Sequence, residues 1–292
     1  MENKHSDIKI DYSKIKVFED YNAEKPTFPL VLSIPHSGTY FPPEFVQQTT
    51  CNVETMRHNE DLLVDELLQK AVDFGIPSIK MLVSRVFVDM NRDRLELDPT
   101  MFYNYPKEQD VMFDKHCRVG LGVVHRINYL RQPLYKGLLD YDEVQLRLKK
   151  VYDVYHNRLQ KTIAKCVKKF GFCLVLDCHS MPSKICSIID DRSGIDICLG
   201  NLFSQSCPQE MSDFLAGQFW SKNYNVEFNC PYSGAFITFN YCQPKQKIYT
   251  LQLEINRALY ANEEKLMKNA DFAMVADDVG NAVISLAQSL VR

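Results

Sequence analysis

The sequence predicts an α/β fold. Short apolar runs that stop at Gly, Pro or polar residues alternate with longer stretches of helical period, the pattern of a sheet sandwiched between helices. Several runs are apolar at nearly every position, as strands covered on both faces are, which predicts parallel strands at the centre of the sheet. Four runs end in reactive groups: Leu30 onward in Pro35-His36-Ser37-Gly38, Val86 onward in Asp89-Met90-Asn91-Arg92, Leu174 onward in Asp177-Cys178-His179-Ser180, and Thr250 onward in Glu254-Ile255-Asn256-Arg257. In an open α/β sheet, side chains just past the strand ends line the ligand crevice.

The elements follow in order. After a polar lead-in over residues 1–28, Leu30 to Ile34 reads as a buried strand ended by Pro35. Leu62, Leu63, Leu67, Leu68 and Val72 fall at helical spacing between Glu60 and Phe74, with Asn59 as cap and Gly75 as stop. Ser78 to Val83 and Val86 to Met90 read as strands. Leu95 to Leu134 has no steady period and reads as long irregular loops. A stripe of Val144, Leu148, Val151, Tyr155, Leu159, Ile163 and Cys166 marks a helix over residues 142–169, ended by Gly171. Phe172 to Cys178, Ile195 to Leu199, Val226 to Phe228 and Ile248 to Ile255 are the remaining strands. Glu210 to Lys222 and Glu263 to Val291 are the remaining helices, the last interrupted at Gly280.

Composition narrows the class. At 292 residues and 46% hydrophobic content the chain can bury a large core, and residues 29–292 read as one continuous domain. A net charge of -3 gives no basic footprint for nucleic acid. No apolar stretch has the length of a membrane span, and the N-terminus is polar rather than signal-like, so a cytoplasmic protein is expected. The ten cysteines include no Cys-x-x-Cys pair, which argues for reduced thiols and against a zinc ribbon. Nothing in the sequence fixes an oligomeric state.

Two strand-end histidines, an acid and a cation are the inventory of a hydrolytic zinc site. His36 sits where Gly38 lets the chain turn and the backbone approach a ligand. His179 has the same placement, and Asp177, two residues earlier on the same side of the strand, can accept from its ring and orient it. Glu254 lies in a run too apolar for the surface. Unpaired it would cost several kcal/mol there, so it reads either as a structural partner of Arg257 or as a general base with a raised pKa. Arg92 can donate to a substrate carboxylate or oxyanion. The third metal donor is chosen as Asp61, in the expected first helical turn, with Asp65 in support and Asp65, Glu60 and His58 left open as alternatives. His116, His125 and His156 read as loop or packing residues. Cys178 beside His179 suggests a cysteine amidase instead, but adjacent strand residues point to opposite faces.

These motifs carry a resemblance. With Gln132-Pro133-Leu134-Tyr135, Asn229-Cys230-Pro231-Tyr232-Ser233-Gly234-Ala235 and Leu253-Glu254-Ile255-Asn256-Arg257-Ala258-Leu259-Tyr260, they resemble, in order between residues 29 and 262, the N-formylglutamate amidohydrolase family. The resemblance implies a three-layer α/β/α sandwich with a mixed, largely parallel sheet, zinc-carboxypeptidase-like. It implies one Zn²⁺, replaceable by another divalent metal, held by His36, Asp61 and His179, with Glu254 as base and Asn91-Arg92 holding substrate. Carboxypeptidases supply their acid three residues after the first histidine, where this chain has Thr39. An Asp-x-x-x-Asp stretch of the family resembles Asp61 to Asp65 instead. The family usually has two glycines where this chain has Gly234-Ala235.

The implied reaction is release of formate from a small anionic N-acyl amino acid, with N-formyl-L-glutamate the leading substrate. Its two carboxylates require donors from Arg92, Arg126, Arg131 and Arg257, with Tyr232 and Gly234 lining the pocket. The competing readings are an enzyme for another N-acyl amino acid or peptide and a non-catalytic binder of a metal or metabolite.

Overall fold

A computed structural model describes residues 9–106, 112, 115–189 and 194–291. The first eight residues of the lead-in lie outside that range. Contacts gather the chain into two compact units. The first comprises the segment ending at Phe18 together with Gly38–Glu60 and Met81–Asn157. The second comprises Glu19–Ser37, Asp61–Lys80 and the chain from Arg158 onward.

The sheet has seven strands: β1 (Phe18–Tyr21), β2 (Leu30–Ile34), β3 (Ser78–Met81), β4 (Cys173–Met181), β5 (Ile197–Gly200), β6 (Val226–Phe228) and β7 (Ile248–Asn256). Their order is β1-β3-β2-β4-β7-β5-β6. β3, β2, β4 and β7 run parallel to one another, β5 is antiparallel to β7, and β6 is parallel to β5. The sheet is therefore mixed and largely parallel. All nine positions of β4 are buried, as a central strand requires.

Strand alternation sorts the two faces. Leu174, Leu176 and Cys178 of β4 join Leu30, Leu32, Ile34, Leu251, Leu253 and Ile255 in one apolar cluster. That cluster is covered by helices Val64–Leu67, Gln69–Asp73, Gln209–Trp220 and Phe272–Ser289. The opposite face carries the polar ladder of Asp177, His179, Gln252 and Glu254, and helix Phe236–Tyr241 packs against β4 and β7. Among the described residues no helix is long and apolar enough to cross a membrane, and the ten cysteines form no disulfide.

Several elements differ from the sequence expectation. The lead-in contributes an edge strand, β1. Val86 to Met90 is buried but not a strand: Phe87 donates its N–H back to Ser84 and Asp89 to Val123, so its apolar character reflects burial alone. The helix expected from Glu60 begins only at Val64, because Leu63 adopts the left-handed region at φ 59° and interrupts the helical path. Asp61 thus lies in the preceding loop rather than in a first turn. The terminal helix starts at Phe272, after a hairpin of Ala261–Asn262 and Met267–Lys268, and runs unbroken through Gly280. A Cβ at Gly280 would stand 2.8 Å from Cβ of Lys70, so this glycine serves helix packing and not a break.

The two-sided burial of β4 predicts a large response to a cavity. Leu174→Ala is expected to lower stability by about 2–5 kcal/mol, read as a lower urea midpoint at unchanged slope. A loss below about 0.5 kcal/mol would contradict the packing described.

Candidate active site

β4 and β7 pair in parallel register, with His179 opposite Glu254 and Asp177 opposite Gln252. His36 lies two residues past the end of β2, and the backbone N–H of Asp61 donates to His36 O at 3.1 Å, bringing the start of the Asp61 loop to the same strand ends. Ser37 adds a second tie, its hydroxyl donating to Asp61 O at 3.1 Å.

Three buried donors converge there. Nδ1 of His36 lies 3.2 Å and Nδ1 of His179 lies 2.7 Å from Oδ2 of Asp61. One ligand atom from each of the three residues falls within 4.8 Å of the other two. The rings of His36 and His179 stand 4.8 Å apart between centroids. Behind His179, Nε2 meets Oδ2 of Asp177 at 2.9 Å, and Ser33 donates to the other Asp177 oxygen at 3.1 Å. Asp177 thus takes the distal nitrogen of the ring and turns Nδ1 toward Asp61. Burial alone would depress the basicity of His179, but Asp177 and Asp61 outweigh it and hold the imidazole well above its ordinary value.

Glu254 is 7% exposed and accepts from Nε2 of Gln252 at 2.8 Å. Burial pushes its carboxyl up to about 7, against the attraction of His179 and Arg257 and with the repulsion of Asp61 and Asp177. Such a group gains and loses a proton near neutrality.

Arg257 is buried and turned toward the Asp61 loop. It donates from Nη2 to Oδ1 of Asp61 at 3.2 Å and from Nε to the Ser180 hydroxyl at 2.9 Å. The sequence reading placed Arg257 on substrate; its partners here are Asp61 and Ser180. Asp65, the other acid of the pair, is drawn to Lys80, and only its backbone N–H meets the Ser37 hydroxyl. His58 and Glu60 belong to the first unit, where His58 stacks on Tyr129 and Glu60 pairs with Arg57.

A sequence model of the N-formylglutamate amidohydrolase family matches residues 28–261. The chain belongs to that family. It is 28% identical to an N-formylglutamate deformylase of Pseudomonas aeruginosa PAO1, over 90% of this chain and 92% of that one. An N-formylglutamate deformylase of Pseudomonas putida is 25% identical over 80% of this chain and 82% of its own length. The crystal structure of N-formylglutamate amidohydrolase from Ralstonia eutropha JMP134 superposes with a TM-score of 0.88 at 27% identity, covering 95% and 99% of the two chains.

The remaining candidates of this family member divide between the two units. In the second, Gly234 adopts φ 127°, and a Cβ there would stand 2.8 Å from Leu202 Cδ2 and 2.9 Å from Thr238 Cγ2. Ala235 has φ -113°, open to any residue, which is why alanine is accepted there and not one position earlier. Tyr232 packs on Met181, Cys186, Ile195 and Cys198.

In the first unit, Asp89 is fully buried and accepts from the Asn91 backbone N–H at 2.8 Å and from Arg85 Nη2 at 2.8 Å, with His125 Nε2 at 3.2 Å. Arg92 donates to Leu121 O and Asn91 O, Arg126 pairs with Asp98 at 2.9 Å, and Arg131 is exposed. Gly38 serves backbone packing and not approach to a ligand, since a Cβ would meet the Leu82 carbonyl carbon at 2.5 Å. His116 pairs with Glu96, and His156 bonds to Met90 O against the ring of Tyr152. Two groups escaped the sequence reading: Gln252 and Ser180. The alternation that links Asp177 with His179 also links Gln252 with Glu254, so the signal for Gln252 was present.

Cys178 faces the apolar cluster, and burial pushes its thiol well above the ordinary range. Iodoacetamide on the native protein is expected to leave Cys178 unmodified while labelling exposed Cys230, read by peptide mass spectrometry. Rapid labelling of Cys178 with activity loss would revive a thiol nucleophile.

Proposed function

We propose that this chain is a metal-dependent amidohydrolase that cleaves N-formyl-L-glutamate to formate and L-glutamate. The observation that carries the reading is the convergence of His36, Asp61 and His179 beside the buried, register-matched Glu254. Family membership supports the reaction, and the names of the Pseudomonas relatives support the substrate.

The donor set fits a zinc ion: two imidazole nitrogens and a carboxylate oxygen, buried and convergent, with Asp177 behind one ring. When bound, such an ion supplies Lewis-acid polarisation of the formyl carbonyl and acidifies the attacking water. Ligand types of this kind also accept other divalent transition metals. His36, Asp61 and His179 would hold it, with Arg257, itself bonded to the Ser180 hydroxyl, donating to the second carboxylate oxygen of Asp61.

Glu254 accepts the proton of water as its oxygen bonds to the formyl carbon, and delivers that proton to the glutamate nitrogen as the C–N bond breaks. Formate and free L-glutamate leave. Burial suits Glu254 to both transfers, because neither its ionised nor its protonated form is strongly preferred near pH 7. Tyr232 and Gly234 are the candidate pocket wall.

Glu254→Gln is expected to lower kcat by about 100-fold to 10,000-fold, the usual contribution of a positioned acid–base group, with metal content unchanged. Formate release by the variant at the wild-type rate would overturn the assignment. In the wild type, kcat/KM is expected to fall as pH drops through about 7 or below, where Glu254 takes up a proton and can no longer act as base; a bound cation moves that limb downward. A profile flat to pH 4 would contradict this role.

A further inference from the structure

Gln252 lies one step behind Glu254 on the same face of β7, buried at 2% exposure. Both ends of its carboxamide are engaged. Oε1 accepts from the backbone N–H of Ala235 at 2.8 Å and from the Thr238 hydroxyl at 3.5 Å, while Nε2 donates to Oε1 of Glu254 at 2.8 Å. The Ala235 bond fixes the polarity of the amide. A backbone N–H can only donate, so the atom facing it is the carbonyl oxygen and the amino group faces Glu254.

The loop reaches Gln252 because β5 gives way. Gly200 is the register partner of Gln252, and a Cβ at Gly200 would stand 2.7 Å from the Ser233 carbonyl carbon and 2.8 Å from the Gly234 nitrogen. The missing side chain lets residues 233–235 lie directly against the strand. Thr250, another step back, donates from its hydroxyl to Thr238 O at 2.6 Å and anchors the helix that follows the loop.

We infer that Gln252 is a positioning residue for Glu254, clamping the carboxylate to the 233–235 loop so that Oε1 stays a hydrogen-bond acceptor and Oε2 is left to exchange the proton. The inference rests on the base role proposed for Glu254. A residue that only filled space could be any side chain of similar volume, whereas this clamp requires an acceptor and a donor in one planar group.

Two variants separate these roles. Gln252→Met keeps length and volume and removes all three hydrogen bonds. Gln252→Glu keeps the acceptor for Ala235 and sets a second acid against Glu254. Crystal structures of the wild type and of Q252M are expected to show a single Glu254 carboxylate orientation in the first and a displaced or multiple one in the second; an unmoved Glu254 would overturn the inference. With N-formyl-L-glutamate, Q252M is expected to lose about 10-fold to 100-fold in kcat, as misplaced catalytic groups do, while KM changes by less than about threefold. Removing an N–H donor from a carboxylate favours its protonated form, so the acidic limb moves to higher pH, further in Q252E. Unchanged kcat and pH profile, or equal loss of thermal stability and KM without a kcat effect, would show a filling role. Absence of formate release by the wild type would refute the substrate assignment, and the Glu254 position in the two crystals would still decide the role of Gln252.

Discussion

β4 and β7 lie parallel and in register over nine pairs, from Cys173 with Ile248 to Met181 with Asn256, and the site depends on that alignment. It sets His179 beside Glu254 and Asp177 beside Gln252 on one face, with Leu176, Cys178, Leu251 and Leu253 on the other. A slip of one residue would carry Glu254 into the apolar cluster and turn Leu253 or Ile255 toward the histidines. The apolar face enforces the register: its cluster spans β2, β4, β5 and β7 and is sealed by four helices. Core packing and site geometry are therefore two faces of one constraint.

Charge balance is the second constraint. Asp61, Asp177 and Glu254 are buried carboxylates near the strand ends, and Arg257 is the buried guanidinium that reaches Asp61. Burying several acids is costly unless cations or protons compensate. Raised proton affinity at Glu254 and His179 is one compensation, and the divalent cation proposed for His36, Asp61 and His179 would be another. The same crowding that makes Glu254 a weak acid makes the three-donor cluster a favourable place for positive charge.

Much of this was legible in the sequence, because the strands announce themselves. Leu30 to Ile34 and Val226 to Phe228 have the bounds read from apolar runs, and Ile248 to Ile255 extends by one residue. His36, His179 and Glu254 could be chosen because each ends or interrupts such a run, and Asp61 because it opens a helical pattern. Two of the misreadings share a cause: apolar character reports burial and not backbone conformation. Val86 to Met90 is buried without a strand ladder, and Leu63 is half-buried in a left-handed turn that splits an otherwise helical pattern. Asp61 lies beside the two histidines although the helix expected to carry it starts three residues later. The partners of Arg257 and the amide of Gln252 depend on three-dimensional register, which periodicity along one strand does not specify.

In the proposed mechanism, three side chains hold one divalent cation independently of the base. Titration of Zn²⁺ into metal-stripped protein by calorimetry tests it most directly, using wild type, Glu254→Gln and a His36→Ala/His179→Ala double variant. One tight site per chain is expected in the wild type and in E254Q, and its loss in the double variant. Undiminished tight binding after removal of both histidines, or no binding by the wild type, would contradict it.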